Sequence, residues 1–192
     1  MSFSAHKLYG PKGIGALYIK FLKTPGMQLT SQIQGGGQQG GLRAGTLATH
    51  QIVGMGEAFR LAEHYLQEDN KRINAFREKL NSKLKLIKDL RVNGHPVHSI
   101  GNIVNICFEK VDKERLQLAF QRFAFSSSAA CAADSQDTSH VLRAMGLKSE
   151  FAHRSIRFSF GRFTTAKEID ELISTIEKLL DSTEVYEEGK NT

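Results

Sequence analysis

Scarce residues set the first limits on this sequence. Its 192 residues include no tryptophan, three prolines and two cysteines. Small secreted domains are usually cross-linked by several disulfide bonds, and two thiols are too few for this, so both are predicted to be free. No apolar run approaches the roughly 20 residues of a membrane-spanning helix, and the N-terminus lacks the apolar stretch of a secretory signal. We therefore expect a cytoplasmic protein with no membrane partner.

Positive charge is in modest excess. The sequence has 26 lysines and arginines against 20 acidic residues, a net charge of +6. Such an excess can attract nucleic acid. Here the cations are interspersed with glutamates along helical stretches, and no aromatic-rich RNA-binding signature accompanies them. We interpret these charges as solvated helix faces and expect no direct contact with nucleic acid.

The first 48 residues are dominated by turn signals. Strands are predicted at 3–7 and 14–19, separated by a Gly/Pro turn, and a Gln/Gly-rich loop follows at 34–41. A strand that begins at residue 2 needs neighbouring strands, and nothing before it supplies them. The chain is therefore expected to be part of a larger fold.

A long helix is predicted at 49–87, where apolar residues recur at spacings of three, four or seven. Beyond it the elements alternate, with strands at 100–108 and 155–160, helices at 113–123, 139–145 and 165–180, and a loop at 129–133. Thr165 and Glu168 at the start of the last helix match a capping box. This pattern predicts a small α+β domain at 93–182, followed by a polar, frayed tail at 183–192.

The two cysteines occupy contrasting surroundings. Cys107 interrupts an apolar alternating run and is predicted to be a buried strand residue. Cys131 follows the small residues of Ser-Ser-Ser-Ala-Ala, which is typical of an exposed loop where a thiol can react. His140 and His153 show no metal-ligand spacing with either cysteine, so no zinc site is expected.

Several blocks of the sequence resemble class V aminotransferase-like enzymes, and most closely the IscS and NifS cysteine desulfurases. The blocks read SAHKLYGPKGIG at 4–15, GGGQ at 35–38, LRAGT at 42–46, SSSAAC at 126–131, VLRAMGL at 141–147 and SIRFSFGRFTT at 155–165. Their order and spacing are compatible with that family up to about residue 180. The resemblance implies an α/β chain with the fold-type I architecture of pyridoxal-phosphate (PLP) enzymes.

The resemblance also implies a domain plan. Residues 1–48 would be the end of the PLP-binding large domain, 49–92 a connecting helix, and 93–182 the small C-terminal domain. Lys7 matches the lysine that binds PLP covalently, and Ser4 and His6 match residues that contact its phosphate. A lysine amine attacks an aldehyde only when unprotonated, a form favoured by burial or by nearby cations such as His6 and Lys12.

Three further residues take roles from the resemblance. Cys131 matches the thiol that accepts sulfur from L-cysteine, and in some relatives this thiol also contacts an iron–sulfur cluster transiently. Arg157 matches the arginine that binds the substrate carboxylate, for which a guanidinium fork is well shaped. Thr46 matches a residue that reaches the phosphate of the partner subunit's cofactor, which implies a homodimer; its alternative role is a helix N-cap.

The sequence departs from the family in ways that leave alternatives open. The family's Ser-Ser-Gly-Ser-Ala-Cys reads Ser-Ser-Ser-Ala-Ala-Cys here, and Gln38-Gln39-Gly40 replaces a more charged stretch. The N-terminal half of the large domain, which carries most cofactor contacts, is not in the sequence. The chain could be a desulfurase supplied with that half, a non-catalytic dimerisation fragment, or a selenocysteine lyase-like enzyme. The sulfur acceptor, an iron–sulfur scaffold or the tRNA thiolation system, is left undecided.

Overall fold

The protein divides into two compact units that share one helix. The computed structural model describes residues 1–20, 29–126 and 138–188, with side chains described up to residue 181. The first unit spans Met1–Gln67 and the second spans Glu68–Thr192. Their boundary lies inside helix α1, Thr49–Leu84, so the chain passes between the units without leaving the helix.

A short antiparallel hairpin opens the first unit. Strand β1, Ser2–Ser4, pairs with β2, Gly15–Leu17, in a register that places Ser4 opposite Gly15. The Met1 ammonium donates to the Tyr18 carbonyl at 2.6 Å and extends this pairing by one residue. The predicted strand at 3–7 is therefore too long, because the chain turns into a 3-10 helix, Ala5–Leu8, directly after Ser4.

Small residues let the segment after this turn approach α1. A Cβ added to Gly10 would lie 3.0 Å from the Ala58 Cβ, and one added to Gly54 would lie 3.0 Å from the Pro11 ring. Gly54 and Ala58 are one helical turn apart and so share a face. The Gln51 amide donates to the Lys12 carbonyl at 3.0 Å and fixes the same segment to the helix.

Helix α1 confirms the long helix predicted at 49–87 and ends three residues earlier. The second half of its apolar stripe is buried, with Phe76, Leu80 and Leu84 all at or below 9% exposure. The first half is more exposed, and Leu66 retains 52% of its surface. No helix among the described residues is long and apolar enough to cross a bilayer.

A three-stranded antiparallel sheet organises the second unit in the order β3-β4-β5. The strands are β3, Leu90–Asn93, β4, Ile103–Phe108, and β5, Ser155–Ser159. The strands predicted at 100–108 and 155–160 are thus present with shorter bounds. Strand β3 was not predicted, because two of its four residues, Arg91 and Asn93, are polar and leave no apolar run to recognise.

The hydrophobic core lies on one face of this sheet. Ile106 and Ile156 are opposite each other in the register and are at most 1% exposed. Helix α5, Ala166–Glu188, covers this face with a stripe at helical spacing. Its buried members are Ile169, Leu172, Ile173, Ile176 and Leu179. An apolar stripe on a helix and alternate apolar residues on strands therefore meet in one core.

Shorter helices complete the second unit. They are α2, Lys113–Ala119, α3, His140–Ala144, and α4, Ser149–His153. Helix α2 stops before the predicted residue 123, α3 matches the prediction within two residues, and α4 was missed. Helix α5 runs through Glu188, so residues 183–188 of the predicted frayed tail are helical, and the rest of that tail lies outside the described residues. The loop predicted at 129–133 lies outside the described residues.

We expect Gly15→Ala to destabilise the hairpin. Its new Cβ would lie 2.5 Å from the Phe3 carbonyl oxygen, a backbone atom that cannot move without separating β1 from β2. Overpacking of this kind costs about 1–3 kcal/mol. Amide hydrogen exchange of residues 2–17 should accelerate. Gly56→Ala is the control, because nothing lies within 4 Å of its added Cβ; equal exchange rates in both variants would contradict the expectation.

We expect Thr165→Ala to weaken helix α5. The Thr165 hydroxyl accepts from the Glu168 N–H at 3.3 Å, and the Glu168 carboxylate accepts from the Thr165 N–H at 2.7 Å, as the capping box predicts. Loss of an N-cap side chain costs about 1 kcal/mol. Thermal unfolding should show a lower Tm, and Thr165→Ser should restore it. A Thr165→Ala variant as stable as the parent would exclude the capping contribution.

The same contact gives stability a defined pH dependence. Hydrogen bonds from the Thr165 backbone and side chain lower the pKa of the Glu168 carboxyl from its ordinary value. A depressed carboxyl pKa contributes stability above the unfolded pKa and loses it as the pH falls through the folded pKa. Denaturant titrations should therefore show Glu168→Gln less stable than the parent at pH 7, with the gap closing towards pH 3. A constant gap would contradict this assignment.

Candidate functional site

Lys7 lies on a turn whose backbone is held from both sides. The Ala5 N–H donates to the Ile14 carbonyl at 3.1 Å, and the Ala5 carbonyl accepts from the Gly10 N–H at 2.9 Å. Ala5 is fully buried, whereas Lys7 is exposed. Tyr9 closes the turn in the left-handed conformation, at φ 63°. The fold therefore fixes the Lys7 backbone and leaves its side chain accessible.

Two other predicted cofactor residues belong to the same turn. Ser4 precedes the 3-10 helix and its hydroxyl makes no capping hydrogen bond, while His6 is exposed beside Lys7. Within the described part of the chain, no residue pairs with the side chains of Ser4, His6 or Lys7. A hydroxyl, an imidazole and an amine on one anchored turn fit a ligand that carries an aldehyde and a phosphate, as PLP does.

Thr46 is the remaining predicted cofactor residue of this unit. The loop before it closes through the Ala44 N–H, which donates to the Ile33 carbonyl at 3.2 Å, and Ala44 is 5% exposed. The Ile52 N–H donates to the Ala48 carbonyl, so Ala48 is the N-cap of α1. The alternative interpretation of Thr46 as an N-cap is therefore wrong, and its exposed side chain remains a candidate for binding.

Arg157 belongs to the second unit and projects from the face of the sheet opposite to the core. Its neighbours in β5, Ile156 and Phe158, are at most 3% exposed on the core face, and alternation places Arg157 on the other face, where it is exposed. No described residue forms an ion pair with its guanidinium. Arg157 is thus an accessible cation available to an external carboxylate.

Arg157 is one member of a polar row that crosses the sheet. The register places Asn93 opposite Asn105 and Asn105 opposite Arg157. On the outer edge of β5, the Arg157 N–H donates to the Ser126 carbonyl at 2.8 Å, and the Ser126 N–H donates back to Arg157 at 3.2 Å. Of this row, the sequence predicted Arg157 and missed both asparagines. The signal was present, since Asn105 interrupts an otherwise apolar strand.

Hydrogen bonds connect this row internally. The Asn93 Nδ2 donates to the Asn105 Oδ1 at 2.6 Å and to the Ser155 Oγ at 3.1 Å. The Ser155 hydroxyl in turn donates to the Phe151 carbonyl in α4 at 2.7 Å. The face that carries Arg157 is therefore ordered by side-chain bonds, whereas the opposite face is ordered by apolar packing.

The structure distinguishes the two cysteines in part. Cys107 is free and fully buried in β4, as predicted, and its thiol donates to the Phe151 carbonyl at 3.5 Å. Burial raises the pKa of Cys107, which keeps the thiol protonated and unreactive. Cys131 lies outside the described residues, so its predicted role as the sulfur acceptor stays a prediction.

A cavity of about 510 Å³ in the second unit includes none of the predicted site residues. It lies between the segment after α2, the end of β5 and α5, and Phe158, Phe160 and Leu172 form part of its wall. Of the predicted residues that the structure describes, Ser4, His6 and Lys7 lie on the Lys7 turn, Thr46 lies in the loop before α1, and Arg157 lies in the polar row.

Known proteins match this chain over most of its length. The aminotransferase class-V family matches residues 1–172. The cysteine desulfurase IscS of Tolumonas auensis is 50% identical over 196 residues, and that of Acinetobacter baumannii strain AYE is 46% identical over the same length. Each alignment covers 98% of this chain and 48% of the relative, so the chain spans about half the length of these proteins.

Solved structures give the same result for the fold. A NifS-like protein superimposes with a TM-score of 0.78 and 33% identity, over 94% of this chain and 46% of that protein. Its architecture is fold type I, the fold of PLP-dependent enzymes, which confirms the predicted fold class. With a match over most of its length, the chain belongs to the aminotransferase class-V family of PLP-dependent enzymes.

Proposed function

We propose that this chain provides the lysine-bearing and thiol-bearing half of a cysteine desulfurase. The enzyme would convert L-cysteine into L-alanine and pass the sulfur to Cys131 as a persulfide. The observation that carries the proposal is the Lys7 turn, where a fixed backbone presents an amine, an imidazole and a hydroxyl with no described partner. The polar row around Arg157 adds a carboxylate site suited to an amino acid substrate.

The chain's own residues divide the work of binding. Lys7 would hold the aldehyde carbon of PLP, while Ser4 and His6 would donate hydrogen bonds to its phosphate. When bound, PLP supplies an electron sink that weakens bonds at the β-carbon of the amino acid. Arg157 would take the substrate carboxylate through two parallel hydrogen bonds and so orient the molecule.

Cys131 would complete the reaction. Its thiolate attacks the sulfur of the substrate, an S–S bond forms as the C–S bond breaks, and the β-carbon receives a proton. The products are L-alanine and a Cys131 persulfide. Together they contain the same atoms as L-cysteine and the Cys131 thiol. Cys107 is an unsuitable acceptor, because it is fully buried and its pKa is raised.

Exposed apolar side chains in the first unit suggest that a second polypeptide segment packs on it. Several large apolar side chains there are exposed, and Leu17, Tyr18, Val53 and Leu66 each retain more than half of their surface. Because the relatives are about twice as long, we propose that an N-terminal half covers this surface and completes the cofactor site. Thr46 would contribute to the cofactor site of a second copy, so the active form would be a homodimer.

The proposal extends to the cellular role. The two curated relatives reported above are named IscS cysteine desulfurases. We therefore propose a cytoplasmic enzyme whose persulfide is passed to a sulfur-acceptor protein for iron–sulfur cluster assembly or tRNA thiolation. A non-catalytic fragment is the second candidate, favoured by the coverage of half of each relative, and a selenocysteine lyase-like activity is the third.

Reconstitution tests the assignment of Lys7. The chain alone should bind PLP weakly, and addition of the N-terminal half of the Tolumonas auensis enzyme should produce the yellow absorbance of lysine-bound PLP and L-alanine from L-cysteine. Lys7→Ala should remove the absorbance and the product, whereas Lys71→Ala on α1 should retain both. No absorbance from the mixture would favour the non-catalytic fragment, and faster release of alanine from selenocysteine would favour the lyase.

A second experiment tests Cys131. Peptide mass spectrometry after turnover should find one added sulfur atom on Cys131. In the reconstituted mixture Cys131→Ser should abolish persulfide and reduce alanine formation at least tenfold while leaving the yellow absorbance unchanged. Cys107→Ala is the control and should retain the persulfide. Undiminished sulfur transfer in Cys131→Ser would show that this thiol is not the acceptor.

A further inference from the structure

We propose that Asn105 is a second carboxylate-binding residue, whose side-chain amide acts together with the Arg157 guanidinium on the substrate. The inference rests on the proposed function and adds a residue that the sequence blocks of the family resemblance do not include. It follows from the pairing of β4 with β5, from the hydrogen bonds around Asn93, and from the open surface around Arg157.

The hydrogen bonds of the sheet establish that Asn105 and Arg157 are close. In an antiparallel strand, the N–H and C=O of one residue point to the same side. Both groups of Arg157 bond to Ser126 on the outer edge. Arg157 and Asn105 are therefore a non-hydrogen-bonded pair, the kind in which the Cα atoms are only about 4.5 Å apart and side chains lie closest.

The neighbouring residues fix which way the Asn105 amide faces. Its Oδ1 accepts from the Asn93 Nδ2 at 2.6 Å, so the carbonyl side of the amide is directed to β3. Asn93 is itself held by the Ser155 hydroxyl, which is bound to α4. The Asn105 Nδ2 donates to no residue in the described ranges. Two N–H donors are consequently left over on the residue that pairs with Arg157, whose guanidinium also has no described ion-pair partner.

This combination suits a carboxylate. A carboxylate has about four lone-pair positions, and a bidentate arginine uses two of them. A neutral amide donor beside the guanidinium can occupy a third position without adding repulsion between cations. Because Asn105 is half-buried and bonded on its other side, little side-chain freedom is lost when it binds. Arg157 alone, exposed and without a described side-chain partner, would lack this preorganisation.

Asn105→Asp is the most direct test, because it keeps the size of the side chain and replaces an N–H donor with a negatively charged acceptor. The introduced carboxylate would pair with Arg157 and compete with the substrate carboxylate. In the chain reconstituted with the N-terminal half, we expect KM for L-cysteine to rise about tenfold or more with kcat changed less than threefold. PLP absorbance should be unchanged, since Asn105 is not proposed to contact the cofactor.

Two variants control for charge and for folding. Gln117→Glu on the exposed face of α2 makes the same amide-to-acid change elsewhere in the second unit and should leave KM unchanged. Asn105→Ser removes the reach of the amide without adding charge and should raise KM a few-fold. If Asn105→Asp fails to fold, Asn105→Ser decides the matter alone: a KM equal to that of the parent would overturn the proposal.

Chemical modification of the isolated chain tests this inference without requiring enzyme activity, so its failure can be told apart from failure of the proposed function. Phenylglyoxal reacts with accessible arginines, and its rate at Arg157 can be followed by peptide mass spectrometry with Arg115 as an internal reference. Asn105→Asp should slow modification of Arg157 several-fold and Gln117→Glu should not. An unchanged rate would overturn the inference even if the reconstituted enzyme were inactive. A slowed rate with an unchanged KM in active enzyme would also overturn it.

Discussion

The pairing register of β4 and β5 is the constraint on which the second unit depends. With Ile106 opposite Ile156, every alternate residue of both strands enters the core beneath α5, and Asn105 and Arg157 are left on the other face. A slip of one residue would exchange the two faces. It would put a guanidinium into an apolar core, at a cost far greater than that of losing one hydrogen bond. The apolar core thus determines where Arg157 points.

Close packing of small residues plays the same part in the first unit. Gly54 and Ala58 on α1 leave room for the Gly10–Pro11 segment, and that segment closes the turn that carries Lys7. The core here is small, so backbone hydrogen bonds hold the turn more than buried area does. A reactive side chain on a turn fixed through its backbone can be accessible and still be well positioned.

Each unit carries its own candidate residues. The candidate cofactor residues lie in the first unit and the polar row lies in the second, while α1 has residues in both units. The chain spans about half the length of the relatives it matches. We therefore propose that the polar side chains with no described partner and the exposed apolar side chains are surfaces that other parts of an assembled enzyme would contact.

Local sequence patterns determined the parts of this protein that depend on near neighbours. The long helix from Thr49, the capping box at Thr165 and the buried strand position of Cys107 follow from periodicity and spacing, and the lysine block identified the family. Only the tertiary structure decided that Lys7 lies on a 3-10 turn, that 90–93 form a strand, and that Asn105 adjoins Arg157. The strand and the Asn105–Arg157 pair arise from pairing between separate segments, which leaves no periodic trace in either segment alone, and the 3-10 turn is too short to show a period.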